Sequence, residues 1–357
     1  MVRVAAMKRA LLAVAVSFAV ACGGGGGGGG GDAAEPDASD VTIGASTTVV
    51  AFDGEHVYFG GEPNRRNVDK EVTFPAPGLR YSKITLRLGL RCPTGGCDWW
   101  DRLGHLSLVK PGAGAGETVE LELARFITPY RVGGQFTVDV TDLQRVLEGP
   151  QTVRVFIDTW VNPGHANGAG WLVDAAFDFE GGIPTPDPYA VVPLWAPQRV
   201  VYGDPARPID VTAGVDVPAG TTGVRLRALV TGHGQGNAGN CAEFCARDHT
   251  FMVGDVAVTK NLWRDDCRTT AVPNQQGTWQ YARAGWCPGA MVTPWTADAA
   301  APTGPLTVSY DVQTYENTCR PAATTCSGCT LGTGCEYDGG AHTEPGWEQS
   351  AVLILLR

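Results

Sequence analysis

Apolar and polar positions alternate with a period of two along much of this chain. Ile84, Leu86, Leu88 and Leu90 alternate with Thr85, Arg87 and Gly89, and Val119, Leu121 and Leu123 with Glu120 and Glu122. Val153, Val155 and Ile157 alternate with Arg154, Phe156 and Asp158, and the scheme returns at Val224–Val230 and Leu306–Val312. Successive side chains on a strand point to opposite faces, so each run predicts a short strand with one buried face. No helical period recurs. Many short strands separated by Gly/Pro turns predict an all-β protein of sandwich or jelly-roll type.

One seam divides the pattern. Gly181-Gly182-Ile183-Pro184-Thr185-Pro186-Asp187-Pro188 places prolines at alternate positions, and proline cannot donate to a sheet ladder. The segment therefore reads as a connector between a domain at 45–182 and another at 189–357, consistent with a length of 357 residues. No internal repeat is visible at a fixed period.

The first forty residues break the pattern. Arg3, Lys8 and Arg9 precede an apolar stretch from Ala10 to Ala21 that is too short to span a bilayer, as expected of a signal peptide at 1–21. Ala19-Val20-Ala21-Cys22 resembles a lipobox, in which Cys22 carries lipid; with Ala19 where leucine is usual, plain secretion is the alternative. Gly23–Gly31 and an acidic stretch to Asp40 cannot pack, and residues 22–44 read as a tether. The expectation is an exported lipoprotein on the bacterial membrane, at the outer membrane or cell surface, acting as a monomer.

Composition narrows the function. A net charge of −10, with no cationic cluster after the N-terminus, argues against nucleic acid and leaves the lipid as the expected membrane contact. If Cys22 is lipidated, ten of the 11 cysteines remain, an even number suited to pairing in an oxidising compartment. Cys92 with Cys97, and Cys241 with Cys245, are the closest pairs, and Cys267 and Cys287 are candidates for a third. Cys319, Cys326, Cys329 and Cys335 form a glycine-rich insert with CxxC spacing; two disulfides are preferred there over a zinc site or a redox motif.

Three segments concentrate carboxylates, indoles and cysteines. Cys97 leads into Asp98-Trp99-Trp100-Asp101-Arg102, a strand ends in Asp158-Thr159-Trp160, and Cys241-Ala242-Glu243-Phe244-Cys245 forms a tight loop. Arg283-Ala284-Gly285-Trp286-Cys287 adds a cation and an indole. Singly, each would be read as a surface ion pair or a core tryptophan. Together on cysteine-locked loops they suit a sugar, since indoles stack on apolar sugar faces and acids accept hydroxyl hydrogen bonds.

These segments resemble, in the same order, those of the bacterial peptide-N-glycosidase F family. The CxxxxCDxWDR pattern lies at Cys92–Arg102, and Arg125–Tyr130, Val138–Asp142, Thr159-Trp160 and Ala190–Pro193 are similar to family segments. CAExC at 241–245 and RAGWCPG at 283–289 complete the set. The resemblance runs from about residue 48 to about 315 and implies two adjacent eight-stranded jelly rolls with the active site between them. It places the principal catalytic carboxylate on Asp101 and a second on Glu243. A family glutamate is here Asp158, one methylene shorter. Gly232-His233-Gly234-Gln235 stands where the family has a Trp and a His, and Phe244 replaces a Trp.

The chemistry so implied is hydrolysis of the amide joining an N-linked glycan to asparagine in glycopeptides or denatured glycoproteins. A water held by Asp101 would attack the amide carbonyl. Arg102 and Arg283 would steady charge, and Glu243 and Asp158 would grip the first sugars, one of them protonating the departing amine. Trp100, Trp160 and Trp286 are the candidate sugar-contacting indoles. No cofactor and no metal are expected. The alternatives are a non-catalytic glycan-binding lipoprotein on the same fold, a glycosidase using the carboxylate pair, and, least of all, a copper monooxygenase. His56, His105, His165, His233, His249 and His342 are scattered without a His-x-His pair, and none is assigned as a ligand.

Overall fold

The computed structural model describes residues 41–357 except 113, 115, 205, 207–208, 235–240, 303, 318–328, 331–335 and 338–344. The signal peptide, Cys22 and the tether to residue 40 lie outside the described residues. So do Cys319, Cys326 and Cys335, and hence the pairing expected among the last four cysteines. Residues 41–357 form one compact unit. Thr42–Gly44, read from sequence as the end of the tether, is held against Arg80, whose backbone exchanges hydrogen bonds with Thr42 and Gly44.

The first part of the chain contributes β1 (Thr47–Val57), β2 (Asn67–Thr73), β3 (Tyr81–Arg91), β4 (Leu103–Pro111), β5 (Thr118–Ile127), β6 (Gly134–Asp139), β7 (Pro150–Ile157) and β8 (Trp171–Gly181). They form two facing sheets in the orders β1-β8-β3-β6 and β5-β4-β7-β2. The chain changes sheet at every step except β4 to β5, which is jelly-roll connectivity. Runs predicted from alternation fall within β3, β5, β7, and β11 and β18 below. The apolar sides of β3, β4 and β7 meet in one core, where Ile84, Leu86, Leu88, Leu106, Leu108, Val153, Val155 and Ile157 are almost wholly buried, while those of β11 and β18 meet in a second.

Beyond the 182–187 connector come β9 (Pro188–Val200), β10 (Val211–Val215), β11 (Gly223–His233), β12 (Asp248–Val253) and β13 (Val256–Asn261). Two-residue strands β14 (Trp263–Arg264), β15 (Arg283–Ala284) and β16 (Ala290–Met291) follow, with a single helical turn at Cys267–Thr270. The chain ends with β17 (Trp295–Ala300), β18 (Leu306–Val312), the short β19 (Cys329–Thr330) and β20 (Glu336–Tyr337), and β21 (Gly346–Leu356). The main sheets have the orders β17-β11-β21-β9 and β10-β18-β12-β13. Numbered within its own half, this sandwich repeats the strand order of the first. Pro193 and Pro197 are tolerated in β9 because it is an edge strand.

Two features join the halves. Strand β21 is buried on both faces: Val352, Ile354 and Leu356 pack into the first core, and Ala351, Leu353 and Leu355 into the second. Strand β16 crosses over and adds a fifth strand to the β5-β4-β7-β2 sheet of the first sandwich, pairing Ala290 with Ile127 and Met291 with Phe126. The polar part of the junction is satisfied internally. Arg125 grips Glu122 through Nε and Nη2 at 2.8 and 2.7 Å, and its Nη1 reaches the Thr231 hydroxyl and the Glu348 carbonyl. The Ser350 hydroxyl donates to Glu122 at 2.5 Å. Burial opposes ionisation of Glu122, but Arg125 overcomes it and holds the carboxyl below its ordinary value.

Candidate active site

Asp101 lies on the connection between β3 and β4, in a loop shaped by a small disulfide and a buried acid. Cys92 and Cys97 are bonded, and the adjoining Asp98 is fully buried. Backbone bonds fix both ends of the loop: Trp99 N–H donates to the Asn167 carbonyl, and Thr128 N–H to that of Arg102. Arg102 N–H in turn donates to the Thr128 hydroxyl at 2.8 Å. Asp101 follows the exposed Trp100 and turns inward.

Glu243 lies on the connection between β11 and β12. Cys241–Cys245 closes its loop, as the short spacing suggested. A reciprocal clamp holds it: Glu243 N–H donates to the Gly234 carbonyl, and Gly234 N–H to a Glu243 carboxylate oxygen at 3.0 Å. Two glycines permit so close an approach. A Cβ on Gly232 would stand 2.4 Å from the Ala242 carbonyl oxygen, and one on Gly285, at φ +85°, 2.5 Å from that of Val230.

The two carboxylates share one cation. Arg283, only 2% exposed, lies with its Nε 3.6 Å from Glu243 and spends Nη1 and Nη2 on the Thr278 carbonyl, the Tyr281 carbonyl and the Thr278 hydroxyl. Its Nε makes no hydrogen bond. Burial raises Asp101 above its ordinary value, and Arg283, a hydrogen bond from Tyr130 and the charge of Arg102 work against that rise. Burial, with the charge of Asp101 added, pushes Glu243 up to about 7, opposed by Arg283 and the Gly234 amide. Two acids this close do not both ionise easily. The charged form is better supported on Asp101, and the proton belongs on Glu243.

Tyr130 was missed as a site residue, although the segment containing it was singled out. Its hydroxyl serves Asp101 and the Thr278 hydroxyl (3.3 Å), and burial and the Asp101 charge push its own ionisation up, keeping it a donor. The second half of the molecule fixes it: Gln275 accepts from Tyr130 N–H at 2.9 Å while its amide donates to the Val272 and Pro288 carbonyls. Cys267–Cys287 closes the same region. No local sequence signal ties Gln275 to Tyr130, because 145 positions separate them.

The remaining candidates divide by exposure. Trp100 and Trp160 are 53% and 52% exposed and offer open indole faces. Trp160 lies 5.1 Å from the Phe59 ring, with Arg66 stacked 4.6 Å over it. Asp158 pairs with Arg66 at 2.9 Å; burial raises it, against Arg66 and Arg102. Trp286 is buried, donates its indole N–H to the Gly232 carbonyl at 2.7 Å, and backs Arg283 at 4.9 Å. It is thus a wall behind the cation rather than an open platform. His233 stacks on Trp286 at 5.2 Å, and burial with nearby Arg199, Arg125 and Arg283 keeps it neutral. Phe244 stands 5.2 Å from the Arg283 guanidinium. Arg102 is committed to Asp98, at 2.8 Å from Nε.

Among the described residues, the one cluster with metal-ligand spacing is Asp266, Cys267 and Cys287, and both its thiols are consumed by a disulfide. The site brings together two acids with unequal surroundings and a cation near both, on loops that also carry exposed indoles. That set suits water addition to a carbonyl with protonation of a leaving nitrogen.

Known proteins resemble this chain in sequence and fold. Residues 112–169 match the family model "Peptide-N-glycosidase F, N terminal", and 202–327 match "Peptide-N-glycosidase F, C terminal". The matched residues include Tyr130, Asp158, Glu243 and Arg283; the Asp101 loop lies upstream of them. The chain is 30% identical over 249 residues to the peptide-N(4)-(N-acetyl-beta-D-glucosaminyl)asparagine amidase F of Elizabethkingia miricola, covering 65% of this chain and 67% of that protein. The structure of PNGase F, a glycosylasparaginase from Flavobacterium meningosepticum, superposes with a TM-score of 0.70 at 25% identity, over 88% of this chain and 96% of that one. PNGF-II shares the fold at 16% identity, with a TM-score of 0.60 over 87% of this chain and 65% of that one.

Proposed function

Because the chain belongs to the peptide-N-glycosidase F family, we propose that it hydrolyses the amide bond between the asparagine side chain and the first N-acetylglucosamine of an N-linked glycan. The observation that carries this reading is the pair of half-buried acids, Asp101 and Glu243, around the buried Arg283, in surroundings that favour the proton on Glu243.

Asp101 acts as the base that orients water toward the amide carbonyl, supported by the Tyr130 hydroxyl. Arg283 steadies the negative charge that develops as the tetrahedral centre forms. Glu243, protonated up to about pH 7, gives its proton to the departing glycosylamine. The peptide is left with aspartate, and the glycosylamine decays to free glycan and ammonia. Trp100 and Trp160 supply sugar-stacking faces at the rim, and Asp158 accepts sugar hydroxyls beside them. A passive glycan binder has no use for a buried carboxyl held near 7, since burial of that acid costs stability.

Lipidation at Cys22, anchorage at the cell surface and a monomeric state belong to the same reading. The first two rest on Ala19–Cys22 and the glycine tether. Palmitate labelling with a Cys22→Ser control tests the first.

The central experiment incubates the protein with a denatured high-mannose glycopeptide in heavy-oxygen water and follows the peptide by mass spectrometry. Loss of the whole glycan with labelled aspartate at the former asparagine is expected. A peptide that retains one N-acetylglucosamine would establish a glycosidase instead, and an unchanged peptide across glycan classes would overturn the catalytic reading.

A further inference from the structure

Asp98 holds no place in the chemistry just derived, yet it is fully buried and its carboxylate is saturated with partners drawn from both substrate-handling segments. One oxygen accepts from the Trp100 backbone N–H at 3.1 Å, on the Asp101 loop. The other accepts from the Thr159 hydroxyl at 2.7 Å, between Asp158 and Trp160. The Arg102 Nε donates at 2.8 Å, and its Nη2 lies 3.5 Å from the first oxygen. The Asp98 carbonyl also accepts from Arg131 N–H at 3.2 Å. A purely structural acid could serve one segment; this one joins two segments that are 61 positions apart and neutralises the cation between their acids.

We propose that Asp98 is a positioning residue, which locks the Asp101 loop to the Asp158–Trp160 segment and offsets part of the Arg102 charge that bears on both acids. The inference rests on the amidase reading for its kinetic part only. The geometry is specific about the electrostatic part. Asp101 faces Arg283, Tyr130, Glu243 and Arg102, while Asp158 faces Arg66 and Arg102. Arg102 is the cation common to both lists, and Asp98 is its ion-pair partner. With Asp98 made neutral, Arg102 is left as an uncompensated, partly buried charge, and such a charge beside a carboxylate lowers its titration by about 1 unit. A lowered Asp101 is a weaker base.

The tether and the charge can be separated. Thr159→Val removes the hydroxyl and keeps the Asp98–Arg102 pair. Asp98→Asn keeps a hydrogen-bonding group and removes the charge. Asp98→Asn with Arg102→Met removes both charges together.

The test has two independent readouts on the full chain. The first is carbon-13 NMR titration of the Asp101 and Asp158 carboxyls in the free protein, which needs no turnover. Asp98→Asn should move both titrations down by about 1 pH unit, the double variant should restore them, and Thr159→Val should leave them in place. The second is the pH dependence of kcat/KM on the glycopeptide. Its acid limb should move down by about 1 unit in Asp98→Asn, with kcat about tenfold or more lower, while Thr159→Val should raise KM with little change in kcat. A folded Asp98→Asn variant whose carboxyl titrations match wild type would overturn the proposal, whatever its activity. If Asp98→Asn fails to fold, unchanged titrations in Arg102→Met together with an unchanged KM in Thr159→Val would overturn it. The expected carboxyl shifts in the variants, together with wild-type protein that cleaves no glycopeptide, would refute the amidase reading alone.

Discussion

The two sandwiches share one strand order, and each gives its acid on the same connection. Asp101 sits between the third and fourth strands of the first sandwich, Glu243 between the third and fourth of the second. Both connections are closed by a local disulfide, Cys92–Cys97 and Cys241–Cys245. The environments differ. Asp101 has the Tyr130 hydroxyl and the fields of Arg283 and Arg102, whereas the charge on Glu243 is helped chiefly by Arg283, whose Nε stands off at 3.6 Å, and one backbone amide. Equivalent topology thus places two acids together, and unequal neighbours assign one the charge and the other the proton.

The largest effect should come from Asp101→Asn, which removes the base: turnover of the glycopeptide should fall on the order of 10^2–10^4-fold with binding retained, read by mass spectrometry and calorimetry. Glu243→Gln should cost somewhat less in turnover and also change stability in a defined direction. Its carboxyl is at about 7 in the folded protein against 4.5 unperturbed, so the native state binds the extra proton between those values. Native stability therefore falls as pH rises from 4.5 through 7, and the cost is fully present above. The glutamine variant should be about 3 kcal/mol more stable than wild type at pH 8 and no more stable below pH 4.5, as denaturant melts would show. In wild type, kcat should decline above about pH 7 as the Glu243 proton is lost.

A smaller effect is expected where the asymmetry between the acids is reduced rather than removed. Tyr130→Phe deletes the hydroxyl donor to Asp101 and should lower kcat about tenfold while raising the acid limb of the pH profile, since a lost donor disfavours the carboxylate. Its acid limb thus moves opposite to that of Asp98→Asn. The smallest is Trp160→Ala, which takes away an exposed face at the rim and should raise KM about 2–10-fold with kcat nearly unchanged. Equal losses in kcat and KM there would mean the indole also orients the scissile amide.

Strands with one wet face were legible because alternation records that face directly, as in β3, β7 and β18; β5 and β11 showed the same period, but their polar sides are largely buried where the halves meet. Strand β21 was not picked out by alternation. Its run Ala351-Val352-Leu353-Ile354-Leu355-Leu356 is apolar throughout because the strand has a core on each side. The repeat of strand order in the two halves, implied by the resemblance, leaves no fixed period in the residues, since jelly-roll topology constrains which strands neighbour one another and leaves residue identity and loop length free. The loop disulfides were legible from spacing, and the acids from their motifs. Trp286 was expected to meet sugar; packing against Gly232 and Arg283 instead buries it.

What the sequence by itself determined is local: period-two strands, proline-marked connector, cysteine-closed loops, and the identity of the acids they carry. These follow from nearest neighbours along the chain, where backbone geometry alone sets which face and which loop a residue occupies. Only the tertiary structure decided which acid holds the proton, because that depends on burial and on Arg283, Tyr130 and Gln275 arriving from distant positions. Only it showed Asp98 clasping Thr159. Electrostatic energy falls with distance in space and is indifferent to separation along the chain, so no reading of spacing could have supplied it.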